Sequence, residues 1–189
     1  MHERVAEPAV APAWRGGSSG RIPAAPPGVL GIAAGLQGSS GLREDMARVE
    51  LELPEQFLFR TEIPVRIDDL NYAGHLGNDS VLTIAQEARV RFLGAHGWTE
   101  LDVEGVGIIM ADAAVVYRAE GKYGMVLEVD LAVADVRTRG CDLVYRLQDK
   151  ATGKEIARVK TGILFFDYSA HKVVSVPARF RDAVGATGS

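Results

Sequence analysis

Between Asn78 and Gly97 the sequence carries an apolar stripe too wide for a helix that merely lies on a surface. Val81, Ala85, Ala88 and Phe92 recur at i, i+4, i+7 and i+11, the spacing that lines one face of an α-helix. Leu82, Ile84 and Leu93 widen that face, so the helix has to be wrapped by its neighbours. Asn78 or Asp79 can cap its first free N–H groups, and Gly94 and Gly97 end it. Whatever this chain folds into must supply a cover for one long, thickly apolar helix.

The flanking sequence supplies it as strands. Residues 57–67 are rich in β-formers, with Pro64 pointing to an edge or a bulge. After the helix and a connector containing Trp98 come four strand-like runs, near Val106–Ala119, Met125–Val136, Cys141–Asp149 and Glu155–Tyr168. Leu127-Glu128-Val129-Asp130-Leu131 alternates cleanly, and the links Glu120–Gly124, Thr138–Gly140 and Thr152–Lys154 are turn-like. Short links predict antiparallel neighbours, and a short helix fits near Pro177–Ala183. The class is α+β: a five-stranded antiparallel sheet wrapped around one long central helix. One such sheet leaves open edges and a flank, which a second copy of the chain would cover.

Residues 1–48 are different in kind. They are rich in Ala, Pro and Gly without helical or strand periodicity, and such a stretch cannot bury enough apolar surface to offset its ordering entropy. They read as a disordered extension, with a true start at Met46 one explanation, ahead of a domain at 49–185. The net charge of −4 repels a phosphate backbone and disfavours nucleic acid as a partner. No apolar run approaches the roughly 20 residues that span a bilayer, so no membrane partner and a cytoplasmic location are expected. Cys141 is the only cysteine; it excludes an intrachain disulfide and suits a small strand residue. No cluster has metal-ligand spacing, and no Gly-rich phosphate loop occurs.

The segment Val65-Arg66-Ile67-Asp68-Asp69-Leu70-Asn71-Tyr72-Ala73-Gly74-His75-Leu76-Gly77-Asn78, followed by Glu87-Ala88-Arg89, resembles the 4-hydroxybenzoyl-CoA thioesterase-like group of hotdog-fold proteins. Members show an acid-x-Asp-x-x-Gly-His-x-Asn-Asn loop and a Glu-x-Ala-Arg helix pattern; Val116-Tyr117 and Lys122-Tyr123-Gly124 also fit. The resemblance implies a hotdog fold and hydrolysis of acyl-CoA thioesters by homodimers or homotetramers with interfacial sites. It implies no cofactor, coenzyme A being part of the substrate. Such hydrolysis needs a carboxylate that attacks or activates water, and donors for the developing oxyanion. Free amides near Gly77 and Asn78 at the helix start are candidate donors. His75 and the Asn78 side chain could polarise the carbonyl or orient water.

Two positions depart from the pattern. The usual catalytic aspartate falls on Asn71 and the usual helix acid on Gln86, with Glu87 displaced by one. An amide cannot act as a base or nucleophile, so the carboxylate must be Asp69, Asp68 or Glu87. Glu87 lies roughly 160° from the apolar stripe, which suits an interfacial site and equally an exposed charge. Asp69 also suits a loop cap, Asn71 a turn, and Asp112 either solvent or the lining of the site. Two other functions stay open. Loss of both usual acids would leave a non-catalytic acyl-CoA binding module. A hotdog hydratase acting on enoyl- or 3-hydroxyacyl-CoA would use Asp-x-Asn-Pro-x-His, which Asp69–His75 matches only with an extra residue and no proline.

Overall fold

The computed structural model describes residues 49–186; the boundary expected near residue 48, and the extension before it, fall outside them. In chain order the elements are β1 (Phe59–Pro64), a 3-10 turn (Ile67–Asp69), α1 (Asn78–Ala95), β2 (Gly107–Tyr117), β3 (Val126–Ala134), β4 (Gly140–Asp149), β5 (Glu155–Asp167), β6 (Lys172–Val173) and α2 (Ala178–Ala183). The sheet is antiparallel in the order β1-β3-β4-β5-β2, and the two-residue β6 pairs with β5 as a sixth strand beyond the five expected. One main helix on one antiparallel sheet makes the fold α+β, as the sequence predicts.

Alternation along the strands builds the core. Leu127, Val129 and Leu131 of β3 and Leu143, Tyr145 and Leu147 of β4 all turn to one face. There they meet Val81, Ile84, Ala85, Ala88 and Phe92 of α1 in one buried cluster. Each large side chain so buried contributes about 1.5–3 kcal/mol. The helix is covered on one side only: Leu82 and Val90 remain exposed, with Gln86 between them. The girth expected to be wrapped by this sheet is left partly bare because a single curled sheet reaches only one face.

The capping expectation needs correction. Neither Asn78 nor Asp79 caps α1; the N-cap is Gly77, without a side-chain bond, and the helix runs to Ala95 before Gly97 takes a left-handed φ of 78°.

The expected meander also fails at one link. β2 and β3 are not neighbours: β2 is the far edge of the sheet, while β3 sits between β1 and β4. Crossing three strand spacings takes roughly 14 Å, within reach of a link that runs from Arg118 to Met125. The link passes the start of α1, where Leu76 N–H donates to Gly121 C=O at 2.9 Å and His75 bridges to Lys122. This crossover carries Tyr117 and Glu120 to the loop that precedes the helix. No helix among the described residues is long and apolar enough to cross a membrane.

Candidate active site

Asp69 closes both ends of the loop before α1. Its carboxylate Oδ2 accepts the Arg66 N–H at 2.7 Å, which fixes the 3-10 turn, and its backbone C=O accepts the Gly77 N–H at 2.8 Å. The residue is 6% exposed. Asp69, in the 3-10 turn after β1, is thereby tied through its backbone to the N-cap of the helix, while its carboxylate turns back to Arg66, whose Nε stands 3.7 Å away.

Asn71 shapes the middle of the loop. Its Oδ1 accepts the N–H groups of Ala73 at 2.9 Å and His75 at 3.3 Å, the Asx turn that this residue type favours. Asn71 N–H donates to His75 C=O, and Gly74 supplies the left-handed φ of 77° that the reversal requires. His75 leaves the turn half-exposed, with Nε2 3.5 Å from a Glu120 carboxylate oxygen.

At the helix start the first-turn amides have no acceptor within the helix. Gly77 N–H is engaged by Asp69, so the donors left are those of Asn78, Asp79 and Ser80. The donor expected at Gly77 is therefore already engaged. Gly77 serves instead by its bareness: a Cβ there would stand 2.7 Å from Asp79 Oδ1 and 3.2 Å from Ser80 Oγ. Tyr117 hydroxyl donates to the Asn78 carbonyl at 3.2 Å. Burial pushes that phenol up, and the nearby Asp79 charge adds to the effect. Glu120 is not a site candidate in the sequence, because the crossover that carries it to His75 is invisible in a pattern of local links.

Between β1 and the bare side of α1 runs a groove of about 350 Å³, lined by Asp69, Arg66, Thr83, Gln86, Glu87 and Val90 among others. Two candidate carboxylates therefore face one space. Glu87 is tied to Arg91 Nε at 2.8 Å, and Arg91 Nη1 is anchored on Thr61 Oγ1 and the Glu62 carbonyl.

Asp112 stands elsewhere. A bulge between Met110 and Asp112 shifts the register of β2, turning Asp112 to the outer face of the sheet. There it pairs with Lys160 at 2.8 Å, whose hydrogen bond holds its carboxyl below the usual range. Cys141 is buried, and burial pushes its thiol up to about 12, where a thiolate nucleophile is out of reach at neutral pH. Among the described residues no three His, Cys, Asp or Glu side chains are grouped to hold a metal.

A family model described as the thioesterase-like superfamily matches residues 65–184. None of the curated protein sequences matches the chain. Among solved structures, Slr0204, a 1,4-dihydroxy-2-naphthoyl-CoA thioesterase from Synechocystis, is 18% identical with a TM-score of 0.62, covering 67% of this chain and 95% of its own. The PA2801 protein of Pseudomonas aeruginosa is 22% identical with a TM-score of 0.63, covering 68% and 99%. The PA5185 protein of the same organism is 21% identical with a TM-score of 0.63, covering 71% and 94%. At these identities the likeness concerns the fold.

Proposed function

The chain belongs to the thioesterase-like superfamily, and from that premise we propose that it hydrolyses an acyl-CoA thioester with Asp69 as the working carboxylate. The observation that carries this reading is the bond from Gly77 N–H to the Asp69 carbonyl. It ties the backbone of a buried acid to the helix start, whose three remaining free amides are the donors an oxyanion needs. Asp69 takes a proton from a water, the water oxygen bonds to the thioester carbon, and the carbonyl oxygen gains charge facing the amides of Asn78–Ser80. The C–S bond then breaks, and the leaving coenzyme A thiolate takes up the proton held by Asp69, which restores the carboxylate. His75 and the Asn78 side chain orient the water or the carbonyl. No cofactor enters this scheme.

Glu87 lies nine residues beyond Asn78 on α1, about 13 Å along the axis. It can serve these amides only by crossing to a partner. A homodimer, or a homotetramer built from it, would bring the bare Leu82–Gln86–Val90 stripes together and complete the groove.

The test is release of free thiol from a panel of acyl-CoAs. Asp69→Asn is expected to lower kcat by at least about 10²-fold, the low end for a general base, with the fold retained by circular dichroism. Full activity in Asp69→Asn would remove this assignment; the same loss in Glu87→Gln alone would transfer the role to the helix.

One observation favours a second reading. The Asn71 amide is consumed by two backbone N–H groups, so the usual position of the family's acid is occupied by a structural residue. A module that binds acyl-CoA without cleaving it would give a measurable Kd with no thiol release from any member of the panel.

A further inference from the structure

The link from Arg118 to Met125 is fastened beside the start of α1, and Tyr117 stands at its root. Tyr117 is the last residue of β2 and pairs with Ala157 of β5. The next two residues, Arg118 and Ala119, both donate their N–H groups to the Ile156 carbonyl, at 2.8 and 3.1 Å. Farther along, Gly121 lies so close to the loop before the helix that a Cβ there would stand 2.9 Å from the Leu76 Cβ. The Tyr117 backbone is therefore fixed relative to Gly77 and Asn78. From it the hydroxyl donates to the Asn78 carbonyl at 3.2 Å. That carbonyl opens α1 and has the helix's own N–H four residues on as its partner, so it needs no second donor to be satisfied. The tyrosine is 50% exposed, and an exposed neutral hydrogen bond adds little to stability. Packing alone does not account for the contact.

We propose that Tyr117 is a positioning residue for the oxyanion donors. The inference rests on the thioesterase reading. The Asn78 carbonyl and the Asp79 N–H belong to one planar peptide group, and the Asp79 N–H is one of the three free donors at the helix start. A hydrogen bond into the carbonyl draws electron density toward its oxygen and leaves the N–H of the same group more positive, as chained hydrogen bonds strengthen one another. It also holds the plane of that peptide, so the N–H is aimed before a thioester arrives. Helix ends fray, and the first turn has no intrahelical partners for its amides; Tyr117 ties that turn to the sheet. The phenol touches neither the water nor the thioester in this role and acts through the backbone. Charge on the thioester oxygen appears only as water adds, so the help is felt in the transition state and not in substrate binding.

The experiment uses the full chain. Thiol release is read across a panel from acetyl-CoA to palmitoyl-CoA with benzoyl-CoA included, and variants are compared on the thioester cleaved fastest. Tyr117→Phe removes one oxygen at a half-exposed site and should match the parent in circular dichroism. Its kcat is expected to fall about fivefold, the rate equivalent of one neutral hydrogen bond, with KM unchanged. Tyr117→3-fluorotyrosine supplies a stronger donor of nearly the same size and should hold kcat at or above the parent's at neutral pH. A fluorotyrosine variant as slow as Tyr117→Phe would mark a packing role and overturn the proposal. Equal kcat in the parent and Tyr117→Phe overturns it while leaving the hydrolase reading intact. A rise in KM with kcat unchanged also overturns it, because the phenol would then bind the substrate itself. A parent that releases no thiol from any member of the panel overturns the hydrolase reading and this inference together.

Discussion

Truncating Asn71 would release two backbone N–H groups from one acceptor, those of Ala73 and His75. Asn71→Ala should therefore cost about 1 kcal/mol, typical of a lost side-chain-to-backbone cap. Asn71→Asp keeps an oxygen in the same place and should leave the urea midpoint unchanged; equal losses in the two variants would show that the turn does not depend on that oxygen. The residue illustrates how far sequence reasoning reaches. Its departure from the family's acid is legible only through the loop's resemblance to that family, and the residue type by itself offers a turn-holding alternative. Which alternative prevails depends on hydrogen bonds made across the loop, which spacing does not encode. Asp112 is a similar case. An acid within an apolar strand reads as facing solvent or a site, and a single bulged residue at Ala111 decides for the outer face and Lys160.

Two glycines separate what an element needs in order to form from what it needs in order to act. A Cβ on Gly140 would fall 2.1 Å from the Ile163 carbonyl oxygen, a backbone atom fixed by the pairing of β4 with β5. Gly140→Ala should destabilise the chain by about 1–3 kcal/mol, as overpacking does, measured by denaturant unfolding. A Cβ on Gly77 meets chiefly the flexible Asp79 carboxylate, which can swing aside. Gly77→Ala should melt close to the parent yet lose acyl-CoA hydrolysis, because the methyl and the displaced acid crowd the free amides. A melting loss as large as that of Gly140→Ala would mean the site cannot be separated from the fold. At this scale the helix was legible because its stripe from Val81 to Phe92 persists over about three turns, and the strands because they alternate. The strand order was not, since β2 and β3 are joined by a link that reads like a turn but runs past the helix start.

Among the described residues the sheet ends in two unpaired edges, β1 and β2. β1 carries Pro64, which cannot donate to a neighbour, and is short. β2 is eleven residues long, its run from Met110 to Ala113 is exposed on both faces, and Met110 is 48% exposed. A long edge of this kind invites pairing, and two copies related by a two-fold axis would satisfy each other's free N–H and C=O groups. The proposed homodimer therefore has a consequence at the edge itself. Ala111→Lys combined with Ala113→Lys places like charges opposite their own copies across the axis, where direct opposition is destabilising. The parent should run as a dimer in light scattering and the double variant as a monomer, with near-parent circular dichroism because neither side chain is buried. If Glu87 acts on the partner's helix start, the monomer loses hydrolysis as well. A parent that is monomeric and active would confine the chemistry to one chain, leaving Asp69 and the amides of Asn78–Ser80 to carry it unaided.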